Sequence, residues 1–175
     1  MLIGLSGKKR VGKDTAGHYL ELVHDFSRIA FADDLKKFAK KLGWNNQKDD
    51  RGRRFLQDLG MVARQYDSNI WANLAFQRIL KIHRQTGQND FVVTDMRFLN
   101  EVNRVKQEGG IVIRITREDE ISDDTHASET ELDTYTGFDY RVQSVKGDFN
   151  ALYKQLDDIV RKERVRESSD ASARV

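Results

Sequence analysis

The run from Met1 to Thr15, MLIGLSGKKRVGKDT, leaves few folds open to this chain. Leu2-Ile3-Gly4-Leu5 is short and apolar, as a buried strand is. Gly7-Lys8-Lys9-Arg10-Val11-Gly12-Lys13 follows, and then an amphipathic segment from Asp14 to Val23. Strand, glycine-bounded turn and helix in that order, with Gly-x-x-x-x-Gly-Lys spacing, form the Walker A pattern in its required context. Gly7 and Gly12 let backbone N–H groups curl around an anion without Cβ clashes. The helix that follows adds the positive end of its dipole. Lys13 is placed to reach β and γ phosphates.

The residue after the lysine is Asp14 rather than Ser or Thr, with Thr15 next. A carboxylate is a good ligand for a hard cation. Asp14 therefore reads either as a Mg²⁺ ligand, direct or through water, or as an acidic residue favoured at a helix N-terminus.

The 175 residues suit one domain, expected over 1–164, with a disordered tail over 165–175 that has no apolar face. The net charge of +2 gives no global pull toward nucleic acid. With no cysteine there is no disulfide framework, thiol nucleophile or cysteine metal site. No apolar run is long enough to span a membrane, and the first strand leaves no room for a leader, so a cytoplasmic protein is expected. Two Trp and nine Phe leave room for a homodimer interface.

Beyond the first helix, Ser27–Phe31 reads as a strand and Asp33–Leu42 as a helix with Leu35, Phe38, Ala39 and Leu42 on one stripe. Helices are expected over Arg53–Tyr66 and from Asp67 or Ser68 to about His83. Phe91–Asp95 is a buried strand that ends in an acid. A short helix, Glu101–Gln107, stops at Gly109-Gly110, and Ile111–Ile115 is the next strand. Residues 117–137 are polar and poorly periodic. Tyr140–Val145 and Phe149–Lys162 read as a last strand and a last helix. Strands alternating with helices imply a parallel sheet covered on both faces, with ligands beyond the carboxyl ends of the strands.

Asp95, at the tip of an apolar strand, has the position of a Walker B acid that helps hold Mg²⁺. Arg97, two residues on, can offset transition-state charge. Arg54 and Gln57 share a helix face, with Arg64 on much the same side: an arginine fork binds phosphate and a Gln amide reads a base edge, or the face is simply solvated. Trp71 reads as a stacking platform or as core. Arg117, after the strand that contains Arg114, is the better lid arginine, in a segment that can cover a nucleotide and exclude water. Asp123-Asp124-Thr125-His126-Ala127-Ser128-Glu129 lacks metal-ligand spacing. His126 and Glu129 read as lid contacts toward the acceptor, or as surface.

Taken together, Gly7–Thr15, Phe31-Ala32-Asp33-Asp34-Leu35-Lys36, Arg54–Gly60, Trp71, Thr94-Asp95-Met96-Arg97-Phe98-Leu99-Asn100-Glu101 and His126–Glu129 resemble the bacteriophage-type deoxynucleoside monophosphate kinases, from Met1 to about Leu156. The resemblance implies a three-layer α/β/α P-loop NTPase fold of the nucleoside monophosphate kinase kind. It would have about five mostly parallel strands, a helical acceptor-binding insertion over about 33–85 and a short lid over about 117–137. It implies ATP- and Mg²⁺-dependent phosphoryl transfer to a dNMP in the cytoplasm of a host cell. Lys9, Arg10, Gly12, Lys13, Asp14 and Thr15 would match the ATP loop. Phe31, Asp34 and Lys36 would fall at the acceptor's edge, and Arg54, Gln57, Gly60 and Trp71 in its monophosphate region. The chain is shorter than some members between Leu42 and Arg53, where acceptor contacts can arise. Two rivals are a kinase of another small phosphorylated metabolite, such as phosphomevalonate, and a nucleotide-binding module without turnover.

Overall fold

The computed structural model describes residues 1–118 and 126–172, the side chain of Ala171 excepted. The apolar runs become five strands: β1 (Leu2–Ser6), β2 (Ser27–Ile29), β3 (Phe91–Met96), β4 (Ile111–Arg117) and β5 (Tyr140–Ser144). The segments of helical period become α1 (Lys13–His24), α2 (Ala32–Lys41), α3 (Asp50–Tyr66), α4 (Ile70–Thr86), α5 (Leu99–Gln107), the short α6 (Ala127–Thr130) and α7 (Phe149–Ser172).

The sheet runs β2-β3-β1-β4-β5. The central strand β1 is parallel to β3, with Ile3 opposite Val92, and to β4, with Leu5 opposite Ile113. β4 is in turn parallel to β5, with Ile115 opposite Val142. Parallel neighbours require crossover helices, which cover both faces and give the three-layer α/β/α architecture. Ser6 pairs with Met96 on one side and Arg114 on the other, so the turn after β1 leaves the sheet beside the end of β3. Gly17 sets the depth of α1 against β3: a Cβ there would lie 2.4 Å from the Thr94 methyl carbon.

The chain divides into two compact units. One is Met1–Arg28 with Asn89–Val175, and the other is Ile29–Gln88. The first has its core in Ile3, Leu5, Leu20, Phe26, Val92, Ile113 and Ile115, closed by Leu152 and Leu156 of α7. The second contains α2, α3 and α4. There the Trp71 indole donates to the Gly60 carbonyl at 3.2 Å, and the Phe38 ring lies 6.3 Å from that of Trp71.

The C-terminal helix differs from its expectation. α7 does not stop near Lys162 but runs through Val165 to Ser172. Extending a formed helix adds one hydrogen bond per residue without a new nucleus, so no apolar face is required. Ser168, Ser169 and Ser172 each return their hydroxyl to the carbonyl four residues back. Among the described residues no helix is long and apolar enough to cross a membrane.

Candidate active site

The turn after β1 is shaped by its backbone. Gly7 has φ 151°, and a Cβ there would meet the Ile115 carbonyl oxygen at 2.4 Å. Arg10 at φ 68° and Gly12 at φ 104° turn the chain into α1. Gly12 is the N-cap, so no cap side chain competes for the first N–H groups of the helix. The Lys13 side chain folds back over the turn, and its Nζ donates to the Gly7 carbonyl at 2.6 Å and the Lys8 carbonyl at 2.5 Å. Lys13 is only 8 % exposed. Burial, with the nearby Arg97 guanidinium, lowers its pKa to about 8, while Glu129, Asp14 and Asp95 pull it the other way. One ammonium thus feels the phosphate turn, the start of α1, the tip of β3 and the segment at α6.

Three further groups brace the turn. The Ser144 hydroxyl, at the end of β5, donates to the Val11 carbonyl at 2.6 Å. Arg117, the last residue of β4, donates to the Arg10 carbonyl at 2.6 Å. Asp133 pairs with Lys8 at 2.6 Å and with Arg114 at 3.1 Å, and Arg114 reaches the Ser6 hydroxyl at 3.1 Å. Ser144 and Asp133 had no signal in the sequence, and Arg114 was legible only as the weaker of two lid arginines, because their partners lie 19 to 133 positions away.

At the tip of β3 the buried Glu101 carboxylate accepts the Arg97 and Phe98 N–H groups at 2.8 and 3.1 Å and fixes the turn into α5. The Arg97 guanidinium is ion-paired with Glu129 and donates to the Ser128 carbonyl at 3.2 Å. His126 is the N-cap of α6, its Nδ1 accepting from Ser128 N at 3.2 Å, so its role here is to start that helix. Asp123, Asp124 and Thr125, and with them part of the expected lid, lie outside the described residues.

Of the residues expected to take an acceptor, all but His126 and Glu129 lie in the Ile29–Gln88 unit. Phe31 is 2 % and Trp71 4 % exposed, so both pack in the interior, which for Trp71 is the second of its two readings. Asp34 is held by Arg78 Nε and Lys37 Nζ, each at 3.1 Å. Arg78, a residue the sequence did not single out, also binds Asp33 and the Ala30 carbonyl. Lys36 lies 4.0 Å from Asp33. On α3, Arg54 is exposed and Gln57 half-buried, while the Gly60 carbonyl accepts from both Trp71 and the Arg64 guanidinium, the latter at 3.4 Å.

Mg²⁺ is commonly held by one or two carboxylates, waters and substrate phosphates rather than by a protein cage. The donor set here fits that habit. Asp14 and Asp95 both act on Lys13, and among the described residues no cluster of three or more His, Cys, Asp or Glu forms a cage.

Comparison with known proteins gives one family. The family model "Deoxynucleotide monophosphate kinase" matches residues 39–156. A protein of Acanthamoeba polyphaga mimivirus named "Putative deoxynucleotide monophosphate kinase" is 37 % identical over 166 residues, covering 79 % of this chain and 86 % of that protein. "Uncharacterized protein ORF77" of Ictalurid herpesvirus 1 is 31 % identical over 142 residues, or 76 % of this chain and 59 % of the viral protein. Two solved structures share the fold. One is a "putative kinase" from Chloroflexus aurantiacus, with TM-score 0.52 and 14 % identity, covering 92 % of this chain and 96 % of that one. The other is the dephospho-CoA kinase of Campylobacter jejuni, with TM-score 0.50 and 12 % identity over the same shares of each chain. A Gly-rich turn braced from β4 and β5, an acid at the tip of β3 and relatives of one kind lead to a single assignment: the chain is a phosphotransferase and belongs to the deoxynucleotide monophosphate kinase family.

Proposed function

We propose that this protein transfers the γ-phosphoryl group of ATP to a deoxynucleoside monophosphate, releasing a deoxynucleoside diphosphate and ADP. The observation that supports the reading is the buried Lys13 ammonium folded over the Gly7 and Lys8 carbonyls, within electrostatic reach of Arg97, Glu129, Asp14 and Asp95. In this reading Gly7, Lys9, Arg10, Gly12, Lys13 and Thr15 bind the triphosphate. Lys13 exchanges its two carbonyl partners for β and γ oxygens. Asp14 and Asp95 are the residues that would hold Mg²⁺, which when bound neutralises charge on those oxygens. The acceptor's own phosphate oxygen is the nucleophile. It is already ionised near neutral pH, so no strong general base is required, and positioning with charge neutralisation carries the catalysis. Arg97 and Arg117 supply charge to the transferring group from opposite ends of the turn.

On the acceptor side, Arg54 and Arg64 are assigned to the monophosphate and Gln57 to the base edge, with Lys36 as a further cation. Gly60, Trp71, Phe31 and Asp34 act by holding α2, α3 and α4 in shape. The near-zero net charge favours free nucleotides over nucleic acid as partners, and the working place is taken to be the host cytoplasm. The test is steady-state ADP release with each dNMP and NMP in turn. Turnover confined to deoxynucleotides is expected. Turnover only with a non-nucleotide phosphate, or none with any acceptor while ATP still binds, would reject the proposal in favour of one of its rivals.

A further inference from the structure

The Glu129 side chain is 8 % exposed, and only one of its oxygens is used. Oε1 pairs with the Arg97 guanidinium, while Oε2 is buried without a hydrogen-bond partner among the described residues. A buried carboxylate with an idle oxygen is a poor device for stability, because its desolvation is incompletely offset. A pair built for stability would satisfy both oxygens. Its location suggests another use. Arg97 and Lys13 are cations close enough to oppose each other, and Glu129 lies with both. Glu101 fixes the backbone at Arg97. The head group is held from α6, by Glu129 and the Ser128 carbonyl.

We propose that Glu129 is a positioning residue for phosphoryl transfer, holding the Arg97 guanidinium beside the phosphate turn and keeping two cations together where a transferring phosphoryl group needs both. This deepens the kinase reading and rests on it. The idle oxygen lets Glu129 follow Arg97 when the cation turns toward an incoming anion, so the pair need not break.

The test is a double-substitution cycle on kcat and KM with R97A, E129Q and R97A/E129Q. E129Q is expected to lower kcat by about 10- to 100-fold, the effect of losing a charge-assisted contact, with KM for both substrates moving less than about threefold. In the R97A background E129Q should then cost less than about twofold, since its target is gone. E129D, which keeps the charge, should recover part of the loss. Multiplying losses would show that Glu129 acts without Arg97 and would overturn the proposal, as would an E129Q variant that melts lower but turns over normally. The Arg97 Nη–H resonance of the unliganded protein gives a readout independent of activity. It should be distinct and slow to exchange in the wild type, and merge with the exposed arginines in E129Q. An unchanged resonance would refute the positioning role even if the protein proved to have no kinase activity, an outcome that by itself would reject only the proposed reaction.

Discussion

Lys13 carries its charge at a cost. Its pKa of about 8 in the folded chain, against 10.5 for a free lysine, means that burial disfavours the ammonium. The unfolded chain therefore binds more protons between those two values, and stability rises as pH climbs through that window. Below pH 8 the full penalty applies, on the order of 3 kcal/mol. Lys13→Met, apolar and of similar length, is expected to melt no lower than the wild type at pH 7, with any advantage shrinking as pH rises past 8. The same substitution should lower turnover by at least roughly 10²-fold, the usual loss when a preorganised charge is removed. Thermal melts across pH 7 to 10, beside ADP release, check both; a large fall in Tm would show that Lys13 holds the turn together rather than awaiting an anion. A bound polyphosphate favours the ammonium, so ADP affinity in the wild type should weaken as pH rises above 8, and Lys13→Met should lose that dependence. Isothermal titration at pH 7 and 9 decides it. At this scale the sequence was informative where spacing is local. Gly7, Gly12 and Lys13 stand within seven positions of one another, and geometry alone assigns their work. Glu129 was legible as a lid contact or surface acid, but its pairing with Arg97 was not, since that partner lies 32 positions away. Trp71 stayed open between two readings because an aromatic side chain serves a core and a base equally well until burial is known.

Among the elements, β5 and α7 separate what pattern can reveal from what it cannot. The span Phe149–Lys162 was read as a last helix, and its Leu152, Leu156 and Ile159 are buried in the core. Its last two turns have no apolar face and were read as tail, although helix propagation needs none. Removing residues 168–175 should shift Tm by less than about 2 °C, because the serines there bond only their own helix. Cutting at 163 instead would remove Arg164, which reaches Asp90 and the His24 carbonyl, and Glu167, 3.6 Å from the amino terminus. It would also remove Glu163, the buried partner of the Tyr140 hydroxyl, and a fall of several degrees is expected by differential scanning calorimetry. The end of β5 has the more direct tie to function. Ser144→Ala leaves the buried Val11 carbonyl without its donor, a loss of about 1 to 3 kcal/mol at a turn that must keep its shape. The expected signature is a raised KM for ATP with the acceptor KM unchanged; equal rises in both would assign Ser144 to general stability.

For the whole molecule, a parallel α/β sheet was legible from alternating strands and helices, but the order β2-β3-β1-β4-β5 was not, because periodicity fixes which face is buried and not which strand is the neighbour. Only the family resemblance set a helical insertion over about 33–85 apart, since no linker of changed composition separates Ile29–Gln88 from the rest. That division predicts how function should partition. The triphosphate candidates all fall in the first unit, and Arg54, Gln57 and Arg64 all fall on α3 of the second. Arg54→Ala and Arg64→Ala each remove a guanidinium assigned to the acceptor phosphate. Each should raise the dNMP KM by about 10- to 100-fold, as expected for a lost charge-assisted hydrogen bond, while ATP affinity without acceptor stays within about twofold. Arg64 also donates to the Gly60 carbonyl, so Arg64→Lys, which keeps a cation but loses the planar fork, separates the roles: recovery of Tm without recovery of KM assigns the fork to phosphate. Gln57→Ala should instead change the ranking of bases and leave the rate with the preferred one least affected, because an amide that reads a base edge contributes to discrimination among acceptors. Should all three α3 variants weaken ATP and acceptor alike, the second unit would be a scaffold for the first and the acceptor would have to be sought elsewhere in the chain.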